Sequence, residues 1–167
     1  MICFLDRDGV INVDYPYVGT IDRFEWCPYV FEILRNIKNL GYQFVMITNQ
    51  SGINRGFYSY REFLDLSFYI HEQFKAYDLS IEINYCPHSP EEKCNCRKPS
   101  PQMINRYPIS QADIFIGDKF TDMQAAYSAG IPNRWMLSND CSPGPFTLHF
   151  SSHLALKLHT DMLLSRT

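Results

Sequence analysis

The chain has no long apolar run. No stretch approaches the roughly 18 uncharged apolar residues that a membrane-spanning helix needs, so no membrane partner is expected. A basic excess is also lacking. The formal net charge is −3, whereas a general nucleic-acid binder carries surplus positive charge. No segment repeats and none is of low complexity. A secretory signal pattern is missing, because Asp6, Arg7 and Asp8 break the first apolar run too early. A cytoplasmic location, and with it a reducing environment, is therefore expected. In that setting the six cysteines read as core or metal-binding residues rather than disulfides. What remains is an ordinary globular composition, 46% hydrophobic and 20% charged over 167 residues. One domain spanning residues 1–167 is the economical division.

Strand and helix patterns alternate along the chain. Ile2, Cys3, Phe4 and Leu5 read as a buried strand. Residues 12–26 form a polar and aromatic loop. Pro28 suits a first helical turn, Val30, Phe31, Leu34, Ile37 and Leu40 recur at helical spacing, and Gly41 is a stop. Residues 42–47 predict a second strand. Ser59 and Glu62 form a capping-box pattern ahead of a helix striped by Phe63, Leu66, Ile70 and Phe74. Ile81, Ile83 and Tyr85 predict a third strand. Pro101 is placed to open a short helix. Residues 114–116 predict a fourth strand, with Thr121 or Asp122 capping a helix that stops at Gly130. Residues 134–137 read as a fifth strand. The segment 138–167 is the least legible, apart from an apolar helical stripe from His153 to Leu163. Alternation of this kind implies an α/β fold, a parallel sheet with helices on both faces.

Chemistry-bearing residues gather where those strands end. Asp6 and Asp8, followed by Gly9, come directly after the first strand, at the place where open α/β sheets bind ligands. Two crowded acids invite a hard divalent cation with oxygen ligands. Alone, the motif also reads as an Asp-Gly turn. Thr48 ends the second strand with a hydroxyl suited to a phosphoryl oxygen, or simply as part of a polar turn. Arg97 and Lys98 follow the third strand and suit phosphate recognition, although a solvated basic pair looks the same. Asp118 ends the fourth strand, with Asp122 one turn on; their bland alternative is a turn or a cap.

A second cluster lies between Cys86 and Cys96. Cys86, His88, Cys94 and Cys96 place three thiols and one imidazole within the loop 86–96, the donor set of a closed tetrahedral zinc site. With all four positions filled by protein, the zinc is expected to be structural. It would pin the segment that delivers Arg97 and Lys98.

The series Asp-x-Asp-Gly, Thr48, Lys98, then the acids Asp118 and Asp122 resembles the haloacid-dehalogenase-like (HAD-like) superfamily of phosphohydrolases. The resemblance implies a Rossmann-like sheet and no large cap domain, for which the chain has no room. It implies that Asp6 attacks phosphorus, that Asp8 serves as acid and then base, and that Thr48 and Lys98 steady the phosphoryl group. By the same resemblance Asp6, Asp118 and the main-chain carbonyl of Asp8 would bind Mg²⁺, with Asp122 in support through a metal-bound water or Lys98. Longer wording, at residues 4–14, 48–56, 94–99 and 117–126, is similar to the subgroup of heptose bisphosphate phosphatases, shared with histidinol-phosphate phosphatases. That subgroup implies a small phosphorylated sugar as substrate, release of its 7-phosphate, and a monomer. It implies substrate contacts from Asp14, Tyr15, Pro16 and Tyr17, from Asn49, Gln50 and Ser51, and from Arg97 and Lys119. Two departures stand out. Pro16 replaces a frequent glycine, and the five residues between His88 and Cys94 match the histidinol-phosphate spacing. Histidinol phosphate is thus the rival substrate, and a non-catalytic sugar-phosphate binding protein the rival class.

Overall fold

A computed structural model of the chain describes residues 1–166. Its ten main elements alternate as expected: β1 (Ile2–Leu5), α1 (Val30–Asn39), β2 (Gln43–Asn49), α2 (Tyr60–Ala76), β3 (Ile81–Cys86), β4 (Ile114–Gly117), α3 (Phe120–Ser128), β5 (Asn133–Leu137), β6 (Leu148–Phe150) and α4 (His153–Leu164). The six strands form one sheet in the order β3-β2-β1-β4-β5-β6, and every neighbouring pair is parallel. The chain steps outward from β1 to β3, then returns to β4 on the other side of β1. Strand order therefore reverses at β1, and the crevice of such a sheet opens at the carboxyl end of that strand.

Burial on both faces explains why the strands read as apolar runs rather than as alternating patterns. Cys3 and Leu5 enter one core with the apolar stripes of α1, α2 and α4, whereas Phe4 enters the other with Met123, Ala125 and Ala126 of α3. The Ser59–Glu62 capping box at the start of α2 forms as predicted, with Ser59 accepting from the Glu62 N–H.

Several boundaries differ from the sequence reading. Pro28 lies outside α1, because Tyr29 enters the helix with a left-handed backbone, φ 62°. β2 continues to Asn49, so Thr48 and Asn49 are its last two residues, paired with Tyr85 and Cys86. α3 is capped at Lys119, not at Thr121 or Asp122; Asp122 is the third helical residue and accepts from the Lys119 N–H at 2.9 Å. Pro101 precedes a 3-10 turn at Ile104–Arg106 instead of an α-helix. The strand β6 was not foreseen. It is only three residues long, its one buried position is Phe150, and His149 interrupts the apolar pattern. The tail beyond Ser138 extends the sheet through β6 and then packs α4 on α1, where Asn36 Nδ2 donates to Asp161 at 2.7 Å. His153 of α4 lies 3.0 Å from the Val10 carbonyl, bracing the turn after Asp8.

At the amino end of the sheet, buried Asp113 accepts from the Ile2 N–H (2.8 Å), the Ser110 N–H (2.7 Å) and the Ser110 hydroxyl (2.8 Å). Hydrogen bonds to a charged group are worth on the order of 1.5–3 kcal/mol each, less where the donor can turn to water. Asp113→Ala should therefore lower the urea unfolding free energy by about 3 kcal/mol. A loss below about 0.5 kcal/mol would show that the contact does not anchor β1.

Candidate active site

The carboxyl end of the sheet opens into a cleft of about 480 Å³. Its walls carry Asp6 and Asp8 from the end of β1, residues 14–17 of the following loop, Asn49, Gln50 and Ser51 after β2, Arg97 and Lys98 after β3, and Lys119 and Asp122 after β4. Four strand ends thus converge as the motif order implied. Thr48 and Asp118 do not line the cleft. Thr48 is buried, and its hydroxyl accepts from Gln50 Nε2 at 2.8 Å.

Lys98 is the electrostatic centre. Its side chain is 2% exposed, and its ammonium meets Asp6 Oδ1 at 2.8 Å, Asp122 Oδ1 at 2.6 Å and the Ile47 carbonyl at 2.6 Å. Burial alone would favour the neutral amine, but the carboxylates of Asp122 and Asp6 outweigh it and raise the Lys98 pKa. The main chain of Lys98 is held by Asn49, whose Oδ1 accepts from Lys98 N–H at 3.0 Å and whose Nδ2 donates to the Lys98 carbonyl at 3.1 Å.

One cation does not balance this neighbourhood. Carboxylate oxygens of Asp6, Asp118 and Asp122 all lie within 4.8 Å of one another. Burial, then the charges of Asp6 and Asp122, push Asp118 up to about 9 against the pull of Lys119. Burial and the Asp122 charge also raise Asp6, to about 6, despite Lys98. Asp122 spends both oxygens internally, on Lys98 and on the Lys119 N–H, which fits support rather than ligation. Asp118 Oδ1 is buried without a hydrogen-bond partner. A hard divalent cation fits this donor set, supplying both the missing charge and a partner for that oxygen.

Asp8 lives in different surroundings. Its carboxylate takes Arg7 Nη2 at 2.8 Å, Asn12 Nδ2 at 3.0 Å and Gln50 Nε2 at 2.9 Å. Burial works against the ionised form, but the Arg7 charge and these donors prevail and lower the Asp8 pKa. Two carboxylates two residues apart are therefore pushed in opposite directions by their surroundings, Asp6 toward its neutral form and Asp8 toward its ionised form. Arg7, Asn12 and Tyr58 belong to this arrangement without having been singled out as site residues. Arg7 is 1% exposed, a burial that no period in the sequence signals.

The loop at residues 14–17 is tied down by side-chain contacts. Asp14 pairs with Lys119 at 2.9 Å, the Tyr15 hydroxyl donates to Glu25 at 2.6 Å, and Arg23 donates to the Pro16 carbonyl at 2.9 Å. Tyr17 stacks on Phe57 with ring centres 4.0 Å apart.

Beside the cleft, Cys86, His88, Cys94 and Cys96 converge. Sulfur–sulfur separations are 3.1 Å for Cys86–Cys96, 3.5 Å for Cys86–Cys94 and 3.6 Å for Cys94–Cys96. His88 Nδ1 lies 3.5 Å from Cys86 Sγ and 3.2 Å from Cys96 Sγ. Tetrahedral zinc with Zn–S bonds near 2.3 Å has sulfur–sulfur edges of about 3.8 Å, so the four donors fit such a site. Arg97 Nη1 donates to the His88 carbonyl at 3.2 Å, linking this loop to the cleft.

Gly9 permits the close approach of Asp118. A Cβ there would stand 2.3 Å from Asp118 Oδ2, and φ is +82°, a conformation that L side chains rarely adopt. Gly9→Ala should reduce turnover by about a hundredfold or more, as expected when a misplaced group disturbs catalytic geometry. It should also weaken Mg²⁺ binding measured by titration calorimetry; unchanged kcat and metal affinity would contradict this reading.

No family model matches the chain. Curated relatives do. A D-glycero-beta-D-manno-heptose-1,7-bisphosphate 7-phosphatase of Helicobacter pylori is 44% identical over 141 residues, covering 80% of this chain and 82% of that protein. A D-glycero-alpha-D-manno-heptose-1,7-bisphosphate 7-phosphatase of Campylobacter jejuni is 39% identical over 155 residues, covering 89% of each. Among solved structures, the D,D-heptose 1,7-bisphosphate phosphatase of B. bronchiseptica, complexed with magnesium and phosphate, superposes with a TM-score of 0.85 over 99% of both chains at 26% identity. With the cleft, the strand order and these relatives in agreement, the chain belongs to the heptose-1,7-bisphosphate 7-phosphatase family of HAD-like phosphatases.

Proposed function

We propose that the chain is a Mg²⁺-dependent phosphomonoesterase that removes the 7-phosphate of D-glycero-D-manno-heptose 1,7-bisphosphate through an aspartyl-phosphate. The observation that carries this reading is the buried Lys98 ammonium set between Asp6 and Asp122, beside an Asp8 held separately by Arg7. Pure binding of a sugar phosphate needs no second, differently tuned carboxylate. The arrangement thus favours an enzyme over a binding protein.

In the first step a carboxylate oxygen of Asp6 bonds to phosphorus as the phosphorus–alkoxy bond breaks. Asp8, protonated at that point, gives its proton to the departing sugar oxygen. In the second step Asp8 takes a proton from water, the water oxygen bonds to phosphorus, and the Asp6–phosphorus bond breaks to release phosphate. Arg7 opposes protonation of Asp8 and so favours the base form that this second step uses. Lys98 steadies the phosphoryl oxygens, and Thr48, buried behind the cleft wall, is assigned to the same group through the hydroxyl proton that its Gln50 contact leaves free. Asp6, Asp118 and the main-chain carbonyl of Asp8 would hold the Mg²⁺, which when bound neutralises phosphoryl charge.

Arg97 and Lys119 are assigned to the rest of the substrate. Both line the cleft, and the half-exposed Lys119 ammonium is shared with Asp14. Two cations beyond Lys98 suit a sugar with a second phosphate better than the cationic amine of histidinol phosphate. The short zinc loop is the one observation that favours the latter substrate. Relatives acting on either heptose anomer resemble this chain about equally, so both anomers belong in the assay. The test is kcat/KM for both heptose bisphosphate anomers and for histidinol phosphate. A higher value for histidinol phosphate would overturn the heptose assignment.

Losing a charge-assisted hydrogen bond costs about 1.5–3 kcal/mol. Arg97→Ala should therefore raise KM for the bisphosphate by about tenfold to a hundredfold, and much less for a generic monophosphate ester. Equal effects on both would remove Arg97 from second-phosphate recognition.

The thiol–imidazole cluster is assigned to structural zinc. Elemental analysis should find about one tightly held zinc per chain, distinct from exchangeable Mg²⁺. Cys94→Ser should lower the thermal unfolding midpoint. Purified protein with no zinc and full activity would dismiss the assignment.

A further inference from the structure

Gln50 lies in the run 48–51 expected to face substrate, yet its amide is spent inside the protein. Nε2 donates to Asp8 Oδ2 at 2.9 Å and to Thr48 Oγ1 at 2.8 Å, while Oε1 accepts the Tyr58 hydroxyl proton at 2.6 Å. A primary amide has two chemically different ends, one accepting and one donating. The Asp8 carboxylate can only accept and so claims the NH₂ end, and the Tyr58 hydroxyl, which can donate, completes the orientation at the carbonyl end. The NH₂ end is thereby turned toward Asp8 and Thr48, both of which accept. Reversing the amide would set a carbonyl against a carboxylate and would give up the short bond that the Tyr58 hydroxyl donates.

Tyr58 has little freedom to release its hold. It is buried, and its ring occupies the space left by two glycines: a Cβ on Gly19 or Gly52 would approach it to 2.0 or 2.2 Å. A rigid aromatic wedge thus orients an amide, and the amide holds one oxygen of Asp8. Arg7 Nη2 forks across both oxygens, at 2.8 Å and 3.1 Å, and Asn12 holds the one that Gln50 does not. Of these three holds, only Gln50 comes from outside the β1 segment, so it alone registers Asp8 against the end of β2, where Thr48 sits.

We propose that Gln50, oriented by the Tyr58 hydroxyl, is a positioning residue that aims the Asp8 carboxyl at the leaving-group oxygen. The proposal rests on the acid–base assignment of Asp8 made above. In the step concerned, the Asp6 oxygen–phosphorus bond forms, the phosphorus–alkoxy bond breaks, and the Asp8 proton goes to the alkoxy oxygen.

Leaving-group chemistry separates this role from a general structural one. A primary alkyl phosphate needs the proton, whereas p-nitrophenyl phosphate expels a phenolate that is stable without it. The quantity to read is kcat/KM, which reports only steps up to leaving-group release. It should be measured with Mg²⁺ for the heptose bisphosphate and for p-nitrophenyl phosphate in wild type, Gln50→Met and Tyr58→Phe. General acid catalysis is typically worth 10²–10⁴-fold, so Gln50→Met should lower the alkyl-to-aryl ratio by about tenfold or more. Tyr58→Phe, which keeps the wedge and Gln50, should lower it by about threefold, a small part of that acid contribution. The ratio is internal to each variant, so a reduced folded fraction or a weakened Thr48 contact cancels. An unchanged ratio in Gln50→Met overturns the proposal. A ratio that falls in Gln50→Met but not in Tyr58→Phe overturns the orienting role of the hydroxyl. Should wild type fail to hydrolyse the heptose bisphosphate, the substrate assignment falls by itself. The same ratio is then taken with another primary alkyl phosphate that the wild type turns over.

Discussion

A single buried ammonium organises the catalytic end of this molecule. Lys98 joins the ends of three strands: Asp6 from β1, the Ile47 carbonyl from β2 and Asp122 from the helix after β4. Breaking a buried ion pair by removing one partner costs about 3–5 kcal/mol, because an uncompensated charge stays behind. The lysine therefore cannot be regarded as a catalytic group laid over a finished scaffold. It is part of what allows acidic strand ends to sit side by side.

The remaining charge is left unbalanced in a directed way. Asp118 retains a buried oxygen with no partner and a pKa pushed up to about 9 by burial and its neighbours. Asp8, two residues from Asp6, is instead surrounded by donors. The same sheet mouth thus holds one region starved of positive charge and another well supplied with it. The first suits a cation and an incoming phosphoryl group. The second suits a carboxylate that must trade protons without joining the metal.

Much of this was legible in the sequence, for identifiable reasons. β1, β2, β4 and α2 are announced by buried runs or by a capping box, which are local signals. Asp6, Thr48 and Asp118 come near one another because a parallel sheet gathers the ends of β1, β2 and β4, whereas Lys98 lies well beyond the end of β3 and is brought in by its Asn49 clamp. The thiol and imidazole spacing at 86–96 likewise carries its own geometry. What was illegible depends on tertiary packing. β6 is too short to stand out, and His149 interrupts its apolar pattern. Lys119, not Asp122, caps α3, because the Asp122 side chain folds back to accept from the Lys119 N–H. Arg7 and Tyr58 are buried by contacts with the Val18 carbonyl and Gln50, partners 11 and 8 residues away in sequence, which no periodicity records.

Arg97 and Lys98 are adjacent in sequence but take their positions from different sources. Arg97 is hooked to the carbonyl of His88 within the cysteine–histidine loop, whereas Lys98 is clamped by the Asn49 amide and the Ile47 carbonyl of β2. A shift of that loop therefore acts on the guanidinium first, while the ammonium keeps its hold on β2. The two neighbouring cations thus answer to separate parts of the fold, one to a loop and the other to the sheet.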